Sequence, residues 1–332
     1  MKHWIKTTAA GLALGAMMST AATTLQAREM NVATYLPAAS GFVKDLLVPW
    51  ADWVNERSGD DFSLRVFAGG TLSRDPNQQD KIVRDGIADI AVIIPSRNPS
   101  EYPQFSVFGL PGLARSGVLG SAAAWSMYKD GSLPDVSTVK ILALWVSDPY
   151  IVHSSSPVTS LEDLKGKKFR AIGATQTDTI LALGGVPENV KITETPESIM
   201  RGILDGALAD WAVASTFKIT EVTDHSYDVP LGTLPFFLGM NKNSYDELSD
   251  ESKALLAEAG EKWQEMLATF YNEQNETIIA AANEAGTTIV QASDADIEQL
   301  VAKTQGVYAD VAERAGADVI DAYRAALAAS SN

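Results

Sequence analysis

Apolar residues recur along this chain in two periods, and the two alternate. Residues 30–35 read as a strand. In residues 42–54, Val43, Leu46, Leu47, Trp50 and Val54 share one helical face, which Pro49 interrupts and is expected to kink. A second strand, 62–67, follows the Ser58-Gly59-Asp60 turn. A helix over 76–84 stops at Gly86, and a buried strand, 89–94, is stopped by Pro95. This β-α-β-α-β order is that of a sheet with parallel strands. After Pro149 the order restarts, with a strand at 168–172, a helix at 177–183 and a strand at 190–192. Thr195-Pro196-Glu197 supplies an N-cap, a proline at the first helical position and an acid near the positive helix end. That helix is expected to end near Asp205-Gly206, before a strand over 207–213. From Ser249 onward the pattern is mostly helical, with caps at Ser249 and Ser293. Two such α/β units predict two lobes facing a cleft. No low-complexity linker separates them, so short crossings are expected to join them.

The first residues alter where this fold is expected to work. Lys2 and Lys6 precede an apolar, small-residue stretch over 7–24, and Leu25-Gln26-Ala27 has the small-x-small form of a cleavage site. The segment 1–27 reads as a signal peptide cut after Ala27, which places the protein in the periplasm. As a retained anchor the stretch is short and rich in Ala and Thr. No cysteine precedes the cut, so no lipid anchor is implied. The whole chain of 332 residues has no cysteine, which excludes disulfides and thiolate chemistry. Its formal net charge is −16, and loss of Lys2 and Lys6 with the leader lowers it further. So acidic a surface excludes nucleic acid and anionic lipid as partners. An anion could bind only at a local basic site.

The run Ser160-Leu-Glu-Asp-Leu-Lys-Gly-Lys-Lys-Phe-Arg-Ala-Ile172 offers one. Ser160 is placed to cap a short acidic turn, Gly166 permits the reversal, and the following strand carries Arg170. A guanidinium holds its donors in a planar fork that fits a carboxylate bidentately. From the residues alone two uses stay open: a receptor for an organic anion, or a structural ion pair, the commoner fate. Candidate catalysts are few. His153 precedes three serines, but the spacing is no motif and no G-x-S-x-G elbow is present. H-E-x-x-H, C-x-x-C, Walker and G-x-G-x-x-G patterns are absent. Asp75-x-Asn77-x-x-Asp80 is too short for a calcium loop. No catalysis, metal or cofactor is expected.

With these residues in view, the mature chain resembles the periplasmic solute-binding subunits of TRAP (tripartite ATP-independent periplasmic) transporters, of the dicarboxylate-binding type. The landmarks are Val66-Phe-Ala-Gly-Gly-Thr-Leu72, Asp85-Gly-Ile-Ala-Asp-Ile-Ala91, Phe108-Gly-Leu-Pro111, residues 161–170, Met240-Asn-Lys242 and Leu248-Ser249. The resemblance implies a monomeric flytrap whose lobes, each a mixed, mostly parallel sheet flanked by helices, close on a small organic acid and deliver it to a TRAP-type membrane permease. It implies discontinuous lobes, 28–148 plus 236–275 and 149–235 plus 276–332, the second carrying the C-terminal helices, with hinges near 147–149 and 234–235. It implies that Arg170 grips the ligand carboxylate, with Tyr150 at or near a position often charged in relatives, Arg97 where some keep a second basic residue, and Tyr35 at the first strand's end. Trp211 matches a pocket aromatic in several relatives, and its expected place at a strand's C-terminal end suits that role. Phe237 is expected to join it in a partly aromatic cavity, with Phe236 and Trp145 in the core. The segment from Gly206 to Trp211 is shorter than the family pattern. Ile94 stands where sialic acid binders carry an acid, which with Tyr150 argues against that ligand. The competing classes are an exported enzyme acting on small carboxylic acids and a ligand-sensing subunit.

Overall fold

The computed structural model describes Met1, residues 27–134 and residues 136–331. The expected signal peptide lies almost wholly outside these residues. In chain order the strands are β1 Arg28–Ala33, β2 Phe62–Phe67, β3 Ile90–Ile93, β4 Val139–Val146, β5 Ile151–Ser154, β6 Lys168–Arg170, β7 Val186–Glu188, β8 Gly206–Ala209, β9 His225–Asp228, β10 Pro235–Asn241 and β11 Thr288–Gln291. They form two sheets, ordered β2-β1-β3-β10-β4 and β11-β9-β5-β8-β6-β7. Both are mixed: β1 is parallel to β2 and β3, β10 runs antiparallel between β3 and β4, and β5 is antiparallel to both β8 and β9. Helices flank each sheet, giving two α/β lobes.

Two crossings lie side by side. Ser147 N donates to Leu234 O at 2.9 Å, and Leu234 N to Ser147 Oγ at 3.0 Å. Tyr150 N donates to Gly232 O at 2.8 Å, and Leu231 N returns a bond to Tyr150 O at 2.9 Å. The long helix Asp250–Glu284 touches both lobes. It starts where Ser249 Oγ accepts from Ser252 N at 3.1 Å, with Asp250 and Glu251 favourably placed in its first turn. Leu256, Ala259, Trp263, Leu267 and Phe270 recur at helical spacing and bury against lobe I. There Trp263 meets Trp145, ring centroids 4.6 Å apart, and lies edge-on to Trp50 at 5.7 Å.

Several expectations are corrected. The helix expected over 42–54 opens as a π-helix, Phe42–Leu47, before the α-helix Val48–Asn55. Pro49 has no N–H to give the preceding turn, and a local change of winding lets the helix pass it. The strand placed at 190–192 is β7, four residues earlier, and Ile192–Glu194 is a 3-10 turn. Thr195 is not a cap: its hydroxyl donates to Lys191 O at 3.0 Å, inside a winding that has already begun. The helix Thr195–Met200 is correspondingly short. The strand expected over 207–213 ends at Ala209, because the Asp210 carboxylate accepts from Val213 N at 2.7 Å and caps a new helix, Trp211–Thr216.

The C-terminal helices Gln305–Ala315 and Ala317–Ser330, expected in lobe II, pack on lobe I. Val307, Val311, Val319 and Ile320 enter the core that holds Phe105 and Phe108. Tyr323 stands edge-on to Phe108 at 4.9 Å, and Tyr308 OH donates to Pro111 O at 2.6 Å. Their amphipathic pattern required a partner face without naming which lobe supplies it.

Candidate functional site

Arg170 ends β6. Its neighbour Phe169 points to the lobe II core, so the alternation of the strand sends the guanidinium the other way. The turn before it is built as expected. Ser160 N and Oγ both donate to Asp163 Oδ2, at 3.0 and 3.1 Å, and Gly166 takes φ 74°. Arg170 is only 5% exposed, yet among the described residues its side chain bonds only Val190 O, from Nε at 3.3 Å. No carboxylate of the described residues lies within 4.0 Å of it. The structural ion pair left open by the sequence is therefore not formed. A buried guanidinium without a counterion is held at a desolvation cost that an incoming anion relieves.

Arg97 comes from lobe I, at the end of a 3-10 turn, Pro95–Arg97, that leaves β3. Arg97 likewise has no ion pair among the described residues, and its Nε is buried without an acceptor. Burial lowers the proton affinity of Arg170; Tyr150 opposes this and Arg97 adds to it. Tyr150 is deeply buried, and burial drives its phenol far above its usual range, with Asp210 adding to the effect and Arg170 and Arg97 opposing it. Tyr35 is pushed up to about 12 by burial, against the pull of Arg97 and with Asp210 assisting. These couplings gather Tyr35, Arg97, Tyr150 and Arg170, one pair from each lobe, into one electrostatic cluster. Both phenols stay neutral at physiological pH and offer O–H donors.

The aromatic residues expected in the lining pack as follows, and one acid not expected there couples to the cluster. Trp211 packs toward the long helix, with Ile151, Ile278 and Ala282, edge-on to His153 at 4.9 Å. It is the first residue of the helix capped by Asp210, directly past the end of β8, where Ile151 pairs with Ala209. Phe237 sits in the lobe I core between Tyr102 and Phe105, 5.5 Å from each. The pleat of β10 turns Phe236 to the opposite face. Phe236, expected in the core, is half-buried, stacks on Trp145 at 5.6 Å and reaches the lobe II cluster around Tyr150. The unpredicted member is Asp210. Burial raises its carboxyl to about 7, against the bonds from Val213 and Ala212 N–H and with help from Asp148. A protonated carboxyl can donate and an ionised one can only accept, and Asp210 is poised between the two forms. Its signal in the sequence was an acid directly after the apolar run Gly206–Ala209, three residues before Val213.

Asp148 lies on one of the two crossings. It accepts from Gly117 N at 2.6 Å and Asn275 Nδ2 at 2.7 Å, so one carboxylate joins the crossing, a lobe I helix and the long helix. Tyr271, from that helix, donates to Val146 O at 2.8 Å.

His153 is a buried strand residue. His153 Nδ1 pairs with Ser226 Oγ at 3.0 Å across the β5–β9 ladder, not with the serines that follow it, and is 0% exposed. Burial lowers it to about 4 from 6.5. The unfolded chain therefore binds a proton between these values that the folded chain does not, so stability falls as pH drops from about 6.5 to 4. The loss is about 3 kcal/mol at full extent. His153→Gln is expected to flatten this part of the profile, read as the difference in urea midpoint between the two proteins across pH 4–7. A parallel pair of profiles refutes it.

No cluster of three or more His, Asp or Glu among the described residues could hold a metal ion. No helix among them is long and apolar enough to cross a membrane.

The sequence profile of the bacterial extracellular solute-binding proteins, family 7 (DctP), matches residues 32–315. The chain belongs to this family. Its members are solute receptors, not enzymes. The C4-dicarboxylate-binding periplasmic protein DctP of Rhodobacter capsulatus is 24% identical over 280 residues, covering 80% of this chain and 81% of its own. Among solved structures, a marine metagenome TRAP solute-binding protein specific for aromatic acid ligands, in complex with metahydroxyphenylacetate, superposes with TM-score 0.84 at 23% identity. The match covers 92% of this chain and all of that one. A TRAP solute-binding protein of Rhodoferax ferrireducens with copurified benzoate gives 0.82 at 23% identity, covering 91% and 98%. The fold of this family 7 member is thus that of the two-lobed TRAP receptors.

Proposed function

We propose that the protein captures a small organic acid between its lobes and delivers it to a TRAP-type membrane permease, after export and cleavage behind Ala27. The observation that carries this reading is the pair of guanidinium groups, Arg97 of lobe I and Arg170 of lobe II, that lack carboxylate partners among the described residues and converge with Tyr35 and Tyr150. In this reading Arg170 takes the carboxylate in a bidentate fork, the phenols donate to its oxygens, and Asp210 meets a hydroxyl or keto group. Phe236 supplies an apolar wall for the rest of the ligand. Relatives named for aromatic acids and for C4-dicarboxylates support the carboxylate class.

Since each lobe contributes one guanidinium, an anion between them favours closure through its differential affinity for the closed state. Ligand bound only by the native state raises the melting temperature by mass action. A thermal-shift screen over aromatic acids, hydroxy acids, keto acids and C4-dicarboxylates is expected to find stabilisers. Small-angle scattering with the best of them is expected to give a smaller radius of gyration. No stabiliser in the screen, or an unchanged radius at saturation, rejects the reading.

A further inference from the structure

A cavity of about 40 Å³ is lined by the crossing at Leu234–Pro235. Its walls also include Ser96 and residues of 99–109 from lobe I, the start of the helix Gly173–Ala182 from lobe II, and Arg314 from the C-terminal helix Gln305–Ala315. Gln176 is 4% exposed; its Oε1 accepts from Ile172 N at 2.9 Å, which leaves Nε2 buried without an acceptor. Arg314 Nε donates to Asp310 O at 3.1 Å, while its Nη2 is buried without an acceptor. Ser96 Oγ is buried and unpartnered too. No Asp or Glu lines the cavity, and Arg314 has no ion pair within 4.0 Å among the described residues. Gly173, Ala174 and Thr175 line it as well, and these are the positions where a helix has N–H groups without internal acceptors. Buried donors of this kind are met by an occupant or cost free energy. One water needs about 10–15 Å³ of such space, so the cavity has room for a small inorganic ion.

We propose that this cavity binds a small monovalent anion of the size of chloride, held by Gln176 Nε2, Arg314 and the first turn of the helix Gly173–Ala182. The site shares no lining residue with the Arg170 cluster and does not depend on the transport reading. Because its walls come from both lobes and from the C-terminal helices, occupancy is expected to stabilise their mutual packing.

The test uses the mature protein. Crystals grown in bromide are expected to show an anomalous peak between Gln176 and Arg314. Melting at constant ionic strength, with chloride replacing gluconate, is expected to raise the melting temperature saturably by roughly 2–4 °C. The rise should persist in Arg170→Gln and vanish in both Gln176→Glu and Arg314→Gln, with circular dichroism confirming that each is folded. Water alone in the cavity, a bromide peak at Arg170 only, or equal melting in both salts overturns the proposal. The wild-type crystal decides the matter even if a variant fails to fold.

Discussion

Arg170→Lys is expected to weaken ligand capture by about 2–4 kcal/mol, roughly 30- to 1,000-fold in Kd, while leaving the fold intact. Lysine keeps the charge but loses the planar fork, so at best one ammonium hydrogen reaches a carboxylate oxygen at a time. Its shorter head also leaves the Val190 carbonyl, now bonded to Nε at 3.3 Å, without that donor. The fold should survive because no carboxylate among the described residues depends on Arg170 within 4.0 Å. Calorimetry with the acid identified by thermal shift measures the loss. An unchanged Kd in a folded variant removes Arg170 from the site. Loss of folding instead revives a purely structural role.

Gly232→Ala is expected to cost about 3 kcal/mol of stability, out of proportion to one methyl group. Gly232 takes φ 100°, a conformation that only glycine adopts without strain. A Cβ there falls 2.1 Å from Gly109 O, and a backbone carbonyl cannot move aside as a flexible side chain can. Gly232 O also accepts from Tyr150 N at 2.8 Å, so the strain enters a hinge crossing that carries a residue of the candidate site. The variant is expected to unfold at a lower urea midpoint with an unchanged slope, and to bind ligand more weakly. A midpoint equal to wild type refutes the close approach of the two segments.

The outline of the fold was legible because local patterns carry it. Burial on both faces writes 90–93 as an apolar run. The cap at Ser249 and the helical spacing of Leu256, Trp263 and Phe270 announce the long helix. Arg170 was visible for the same reason: a turn signal, a glycine at the reversal and a short strand fix its place locally. The misreadings fall where two local signals compete. Thr195-Pro196 has the chemistry of a cap, but a 3-10 turn had already started. Asp210 closes β8 by capping a helix, within a stretch apolar enough to read as one strand.

Alternate side chains on one strand point to opposite faces, so a sequence can say that one of Phe236 and Phe237 meets the cleft without saying which. The register of β10 against β3 and β4 decided it. The C-terminal helices showed apolar faces, but the lobe that covers them depends on shape at long range. Asp210 is one acid among many in an acidic chain. Its raised pKa comes from burial beside Asp148, 62 positions away in the chain, and only folding brings them together. By itself, then, the sequence determined the two α/β units, the exported class and the arginine; tertiary structure decided which groups face that arginine, because burial and convergence are properties of the packed chain and not of any segment.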